Sequence, residues 1–189
     1  MNWHAEQAAA RIEALYPDID IILVNSPDPS SQASALEDLV SVNKIHALVI
    51  LPFESEPLTD PVLNVKASGA FITVVDRGLS QPGIEDIYVA GNNPELGRVS
   101  AEYMKTRLSA GDKIVILRGI PTIIDTERFD AFMAEIEGSG IIVLDDKHAN
   151  WNRDDGFEVM QDFLSRFPDI DAVWAQDDDI AIESGRAHV

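Results

Sequence analysis

The sequence predicts an α/β protein with two parallel-sheet lobes, each a three-layer arrangement of helices, sheet and helices. Short apolar runs that suit buried strands alternate with amphipathic helical segments over residues 3–90, which is typical of a parallel sheet. The same alternation starts again after a short joint at residues 91–93. We therefore expect a first lobe at residues 1–92, a second lobe at residues 93–182 and an atypical tail at residues 183–189.

The first lobe opens on a predicted helix at residues 3–16, where alanine and larger apolar residues recur at helical spacing until Pro17 ends the helix. Further strands are predicted at residues 19–24, 47–51, 71–75 and 87–90, and further helices near residues 36–40 and 60–67. A right-handed crossover unit needs a strand on each side of its helix, and no strand precedes the first helix. We therefore expect that an amino-terminal strand is missing.

The second lobe opens on the stretch GNNPELG, which predicts a helix with Asn93 as its N-cap and Pro94 in its first turn. This helix is expected to run to about residue 108. Strands are then predicted at residues 113–117, 141–144 and 172–176, and helices at residues 126–136 and 154–167. The final ESGRAHV has no apolar period, so we expect no completed helix there.

The composition excludes several classes of partner and chemistry. The chain has 189 residues and a formal net charge of -19, which opposes binding to nucleic acid or to an anionic membrane, because both attract basic side chains. It has no cysteine, so a disulfide, a thiolate metal site and a cysteine nucleophile are excluded. No run approaches the roughly 20 apolar residues of a spanning helix, and the polar start MNWHAEQ does not suit an export signal. We expect a soluble chain without an export signal in this stretch.

Catalytic and metal-binding motifs are absent from the sequence. It contains no GxSxG elbow, Walker loop, GxGxxG or HExxH. The four histidines have no ligand-like spacing: His4, His46, His148 and His188. Neighbouring residues on an extended segment point to opposite faces, so the side chains of Asp177, Asp178 and Asp179 do not easily converge on Mg²⁺. We expect no enzyme activity, no metal and no cofactor.

Polar side chains follow the predicted strands of both lobes, at the edge where open α/β sheets bind ligands. The candidates are Asp76, Arg77, Arg128, Trp151, Arg153 and Asp177. Carboxylates and guanidinium groups suit the hydroxyls of a small molecule, and an indole face stacks on the C–H face of a sugar ring. The combination predicts a sugar-binding cleft. These residue types suit pentoses, hexoses and polyols alike.

Each candidate also has a purely structural interpretation. Asp76 and Arg77 could form an ion pair in the turn before Gly78. Arg128 could pair with a neighbouring carboxylate on the surface. Trp151 could fill space in its lobe, and Asp177 could cap a helix. Jointly, ligand-type residues at equivalent strand ends favour a binding site over these separate roles.

Five ordered stretches resemble one family: VVDRG, AGNNPELG, VILRGIP followed by TERFDAF, NWNRDDGFEVMQDFL and FPDIDAVWAQDDDIAI. Over residues 3–182 the chain resembles the ribose-type periplasmic sugar-binding proteins of ABC importers, in the type I periplasmic binding protein superfamily. The resemblance implies two lobes that close on a monosaccharide or polyol about a hinge at Asn92 and Asn93. It also implies a full-length parent in the periplasm that presents the closed form to a membrane permease.

Position by position, the resemblance implies roles for the six candidates. Asp76 and Arg77 would bind sugar hydroxyls from the first lobe, and Arg128 would bind them from the second. Trp151 occupies the aromatic stacking position, with Arg153 beside it. Asp177 lies where the family often has an asparagine or aspartate contact.

The chain also departs from this family. Family members begin with an export signal and a first strand whose loop contacts the ligand, and they continue well beyond residue 182. We therefore expect a chain truncated at both ends. The alternative is the effector-binding core of a LacI-type transcription regulator that has lost its DNA-binding domain. A signal peptide upstream would indicate transport, and a helix-turn-helix would indicate regulation.

Overall fold

Two parallel three-stranded sheets organise the computed structural model, which describes residues 2–187. The first sheet has the order β1-β2-β3 and consists of β1 (Ala47–Ile50), β2 (Phe71–Val75) and β3 (Ile87–Val89). The second has the order β5-β4-β6 and consists of β4 (Lys113–Arg118), β5 (Ile142–His148) and β6 (Ala172–Ala175). The end of the predicted tail, including His188, lies outside the described residues.

The helices follow the predicted order along the chain. They are α1 (Asn2–Leu15), α2 (Pro29–Ser41), α3 (Ser55–Ala67), α4 (Asn93–Lys105), α5 (Ile123–Ile136), α6 (Arg153–Arg166) and α7 (Asp178–Arg186). In residues 2–187, no helix combines the length and the apolar character needed to cross a membrane. We call β1 to β3 with α2 and α3 the first lobe, and β4 to β6 with α4 to α7 the second lobe.

The start of α4 lies one residue earlier than predicted. Asn92, and not Asn93, is the N-cap, because its side-chain oxygen accepts a hydrogen bond from the Glu95 backbone N–H at 3.2 Å. Asn93 is the first helical residue and is buried. This shift leaves the Asn93 side chain available to contact α5.

The predicted strand at residues 19–24 is wrong, because the structure has no regular secondary structure there. Its apolar side chains are about half exposed, for example Leu23 at 52% and Val24 at 51%. A strand is stabilised by backbone hydrogen bonds to a neighbour, and no strand in residues 2–187 pairs with this segment. An apolar run alone therefore does not make a strand here.

The expectation that residues 183–189 complete no helix is also wrong. Helix α7 continues through Arg186, and its N-cap Asp177 accepts a hydrogen bond from the Ile180 backbone N–H at 2.9 Å. Ile180 and Ser184 lie four residues apart and are both buried. One apolar anchor and a cap are enough to dock this short helix, which packs against α6.

Strand β4 carries the core of the second lobe on both of its faces. Ile114 and Ile116 face a cluster that includes Phe132 and Trp174, whereas Val115 and Leu117 face a second cluster beneath α6. All four β4 side chains are fully buried. Burial on both faces is expected of a central strand in a three-layer α/β unit. The core thereby fixes where β4 ends and its polar residues begin.

We expect Phe132→Ala to lower the free energy of unfolding by about 3 to 5 kcal/mol, because a large buried side chain leaves a cavity. The Phe132 ring is fully buried and stacks on Trp174 with a centroid distance of 3.8 Å. Urea denaturation would measure the loss. Phe71→Ala is the control, since Phe71 is 49% exposed and should cost far less. Equal losses would contradict this account of the core.

Candidate ligand-binding cleft

The two lobes meet at the carboxyl ends of their strands. The Ile123 backbone N–H, at the start of α5, donates a hydrogen bond to the Ser55 hydroxyl oxygen at 3.1 Å, at the start of α3. Asp76 and Arg77 follow β2 directly, and Trp151 lies in the loop between β5 and α6. The predicted candidates from both lobes therefore reach the same interface.

Two guanidinium groups and one indole form the centre of this interface. The guanidinium carbon of Arg77 lies 5.2 Å from the centroid of the Trp151 ring, and that of Arg128 lies 5.7 Å from it. Both distances are within the range of cation–π attraction. We call these three residues the Arg–Trp–Arg cluster. It joins a first-lobe residue to two second-lobe residues.

Arg77 keeps a hydrogen-bond donor that no described residue accepts. Its Nη1 donates to the Phe53 carbonyl oxygen at 2.8 Å, but its Nε is buried without a partner. Burial lowers the pKa of Arg77, and the carboxylates of Asp76 and Glu54 oppose that shift. A buried donor without an acceptor is costly, so this atom suits an acceptor from outside the protein.

Arg128 is held inside the interface rather than paired on the surface. Its Nε donates to the Asn93 side-chain oxygen at 2.9 Å, and its Nη1 donates to the Gln176 carbonyl oxygen at 3.2 Å. Asn93 is only 3% exposed. The structural interpretation of Arg128, an ion pair with a neighbouring carboxylate, is therefore not what the structure shows. The predicted hinge residue Asn93 instead orients this guanidinium.

Asp76 has a left-handed backbone conformation with φ of 64°, which is unfavourable for a residue with a Cβ. Two residues of β3 stabilise this conformation by hydrogen bonds to the Asp76 backbone N–H and carbonyl oxygen. The Asp76 N–H donates to the Val89 carbonyl oxygen at 2.7 Å, and the Tyr88 hydroxyl donates to the Asp76 carbonyl oxygen at 2.7 Å. Burial, with help from nearby carboxylates, raises the pKa of Tyr88, so its hydroxyl stays protonated and can donate.

The loop that carries Trp151 has two successive left-handed residues, Asn150 with φ of 51° and Trp151 with φ of 48°. The Asn150 side-chain amide donates to Asp155 at 2.9 Å, which ties this turn to the first turn of α6. The Trp151 indole N–H is buried, and no described residue accepts it. The indole thus offers a second unpaired donor beside that of Arg77.

Arg153 and Asp177 are not brought to the Arg–Trp–Arg cluster. Arg153 is exposed and forms an ion pair with Asp179, with Nη2 and Oδ1 2.6 Å apart. Asp177 caps α7, as described above. Both lie at the predicted edge of the sheet, but their side chains bond to α7. A ligand contact from either one stays a prediction.

Sequence reasoning missed a buried ionic network behind the cluster. The Asp125 carboxylate is fully buried and accepts hydrogen bonds from Arg118 Nη2 at 2.6 Å and from the Gly119 backbone N–H at 3.0 Å. Burial opposes the charged form of Arg118, but hydrogen bonds to Asp125 and Asp146 raise its pKa. The sequence does carry a signal for this pair: Arg118 lies at the end of a strand, and Asp125 lies in the first turn of the helix that follows it.

Gln176 was also missed, although it lies beside the candidate Asp177. Its side-chain amide donates to the Asp125 carbonyl oxygen at 3.2 Å, while its own side-chain oxygen is buried without a partner among the described residues. Because the Gln176 carbonyl oxygen also accepts from Arg128, this residue links the ionic network to the cluster.

A cavity of about 360 Å³ lies between the lobes and is lined by residues that include Ser55, Ser80, Thr122, Asp125 and His148. This volume is in the range of small-molecule sites. A larger groove of about 700 Å³ lies between α4, β6 and α7. None of the six candidate residues lines either cavity. Within residues 2–187, no group of three or more histidine or acidic side chains could hold a metal ion.

Two parallel-sheet lobes that meet across polar strand ends define a two-lobed α/β ligand-binding protein. The sequence profile of the family described as periplasmic binding protein domain matches residues 1–188. The chain belongs to this family.

Comparisons with characterised proteins agree with this assignment. The chain is 30% identical over 171 residues to the ribose import binding protein RbsB of Bacillus subtilis, which covers 90% of this chain and 55% of that protein. It is similar in structure to the fructose-binding periplasmic domain of a hybrid two-component system, with a TM-score of 0.86 and 28% identity. That match covers 97% of this chain and 62% of the other. The chain spans about half the length of the curated relatives it matches.

A solute-binding protein of an ABC transporter from Bacillus halodurans, solved with bound myo-inositol, has the same fold. Its TM-score is 0.85 at 23% identity, over 96% of this chain and 64% of that chain. The fold class predicted from the sequence, and the resemblance on which it partly depended, are thereby confirmed.

We expect Asp125→Asn to lower the free energy of unfolding by about 3 to 5 kcal/mol, because it leaves the partly buried Arg118 charge without its main, fully buried partner. Urea denaturation would measure this loss. Asp146→Asn is the matched control, since Asp146 is 37% exposed and contacts Arg118 only at 3.1 Å, so its loss should be about 1 kcal/mol or less. A greater effect of Asp146→Asn would contradict the assignment of Asp125 as the main partner.

We expect Tyr88→Phe to lower the free energy of unfolding by about 1 kcal/mol, because one hydrogen bond to the strained Asp76 peptide is lost. Hydrogen exchange should also show faster exchange of the Asp76 amide. Tyr103→Phe removes the same hydroxyl from a side chain that is 60% exposed, and should change neither value. Unchanged exchange at Asp76 in Tyr88→Phe would show that the hydroxyl does not support this residue.

Proposed function

We propose that the chain carries the ligand-binding cleft of the substrate-binding component of an ABC-type sugar importer. The ligand is a monosaccharide or polyol, bound between the lobes. The observation that carries this proposal is the Arg–Trp–Arg cluster, in which guanidinium groups from both lobes share one indole. The relatives include a ribose import binding protein and proteins that bind fructose or myo-inositol, which supports the same ligand class.

Each member of the cleft has a role in this proposal. Asp76 accepts hydrogen bonds from ligand hydroxyls, and Arg77 and Arg128 donate to ligand oxygens from opposite lobes. Trp151 stacks on the C–H face of the ligand. Arg153 and Asp177 contribute from the rim when their present bonds to α7 rearrange. The absence of water in the closed cleft strengthens all of these polar contacts.

Closure requires the lobes to move about the joint that connects them. We place the boundary between residues 92 and 93, where Asn92 caps α4 and Asn93 contacts Arg128. A joint of this kind lets two rigid sheets close on a ligand like a hinge. The ligand then becomes the bridge between the arginines of the two lobes.

The partner and compartment follow from the transport proposal. The full-length parent acts in the periplasm and delivers its ligand to the membrane permease of the importer. The import function named for the ribose relative supports transport over the LacI-type alternative. The formal charge of -19 also disfavours contact with DNA by this part of the protein.

Titration of tryptophan fluorescence with ribose, fructose and myo-inositol tests the proposal. A saturable change is expected with at least one of them, and Trp151→Ala should abolish it. Trp174 is buried on β6 against Phe132, and Trp3 lies exposed on α1, so neither should respond. A folded chain that responds to none of these ligands at millimolar concentration would contradict the proposal.

Asp76→Ala is expected to weaken the affinity about 10- to 100-fold, because hydrogen bonds from ligand hydroxyls to a carboxylate are lost. Asp60→Ala is the matched control, since Asp60 is exposed on α3 and away from the cleft. Calorimetric titration with the responding sugar would measure both variants. Equal effects of the two substitutions would remove Asp76 from the site.

A further inference from the structure

Gly119 lies directly beneath the Trp151 indole. A Cβ atom added at Gly119 would be 1.9 Å from Cε2 of the indole and 2.2 Å from its Nε1. Such distances are far inside van der Waals contact. The space that any side chain at position 119 needs is therefore occupied by the ring of Trp151.

The backbone conformation does not explain the glycine at this position. Several glycines of the chain have a left-handed φ, such as Gly111 at 97° and Gly140 at 81°, but Gly119 is not among them. An alanine could adopt the same backbone conformation. The close approach of Trp151 is thus the feature that requires glycine here.

Neither side of this contact is free to move away. The Gly119 N–H donates to the Asp125 carboxylate at 3.0 Å, and its carbonyl oxygen accepts from His148 Nδ1 at 2.7 Å. The loop that carries Trp151 is anchored next to it, where the buried Ala149 donates to the Arg118 carbonyl oxygen at 2.8 Å. Because the backbone is held on both sides, a methyl group at position 119 would have to be accommodated by displacement of the Trp151 side chain.

We infer that Gly119 is a positioning residue that sets how deeply Trp151 lies in the cleft. With glycine at 119, the indole packs against the backbone that follows β4, with the guanidinium carbons of Arg77 and Arg128 at 5.2 and 5.7 Å from its ring centroid. With any larger residue at 119, the ring would have to leave this position. The consequence for sugar binding depends on the proposed function, whereas the placement of the indole does not.

The test compares Gly119→Ala with the double variant Gly119→Ala and Trp151→Ala. Gly119→Ala should lower the urea midpoint and increase acrylamide quenching of tryptophan fluorescence, because Trp151 is displaced. The double variant has no ring at position 151 to meet the added methyl group. Its urea midpoint should therefore return close to that of Trp151→Ala alone. Gly185→Ala is the control, since no atom lies within 4 Å of its added Cβ.

A second measurement gives the sugar affinity of the same variants, with ribose, fructose or myo-inositol, whichever binds the wild-type chain. Gly119→Ala should weaken that affinity at least tenfold, whereas in the Trp151→Ala background, measured by calorimetric titration, the same substitution should change it less than threefold. Non-additivity of this kind identifies residues that act through each other.

The outcomes separate this inference from the proposed function. Unchanged quenching in Gly119→Ala, or an equal loss of stability in both backgrounds, would overturn the positioning role. Rescue by Trp151→Ala in a chain that binds no sugar would uphold the positioning role and reject the sugar site.

Discussion

The buried carboxylate of Asp125 is the constraint on which the second half of the cleft depends. It accepts from Arg118 and from the Gly119 N–H, and so ties the end of β4 to the first turn of α5. The Asp125 carbonyl oxygen accepts from Gln176, which adds the end of β6. Gly119 in turn supports Trp151, and Gln176 accepts from the guanidinium of Arg128. Both second-lobe members of the cluster thus depend on one ion pair that they do not contact.

The architecture could be predicted from the sequence because its strands are short, apolar and regularly spaced. Residues 113–117 show this most clearly, since a strand buried on both faces needs no alternation and its limits are set by charged neighbours. Whether such a segment pairs with a neighbouring strand could not be predicted in the same way. Residues 19–24 have an equally apolar pattern, but a strand also needs a neighbour, which lies outside what a local pattern can report. Helix α7 shows the reverse error, because one cap and one buried isoleucine outweigh a weak local pattern.

The candidate site was predicted to the level of sheet edge, but not of side-chain direction. The rule that ligands bind at carboxyl strand ends selected Asp76, Arg77, Arg128 and Trp151, which lie at the lobe interface. The same rule selected Arg153, whose side chain turns to an acidic partner on α7. Gly119 left no signal, because the close approach of a ring from a distant loop exists only in the folded structure.

The Arg–Trp–Arg cluster itself favours a ligand, because buried polar atoms in it lack hydrogen-bond partners among the described residues. Cation–π attraction contributes about 0.5 to 2 kcal/mol for each pair, which is comparable to the cost of one buried donor without an acceptor. Three buried polar atoms without a partner among the described residues lie in or beside this cluster: two donors, the Arg77 Nε and the Trp151 Nε1, and one acceptor, the side-chain oxygen of Gln176. Asp76 adds the strain of a left-handed backbone. Unpaired groups of this number, next to a buried ionic network, are expected where an external partner with several hydroxyls completes the hydrogen bonds.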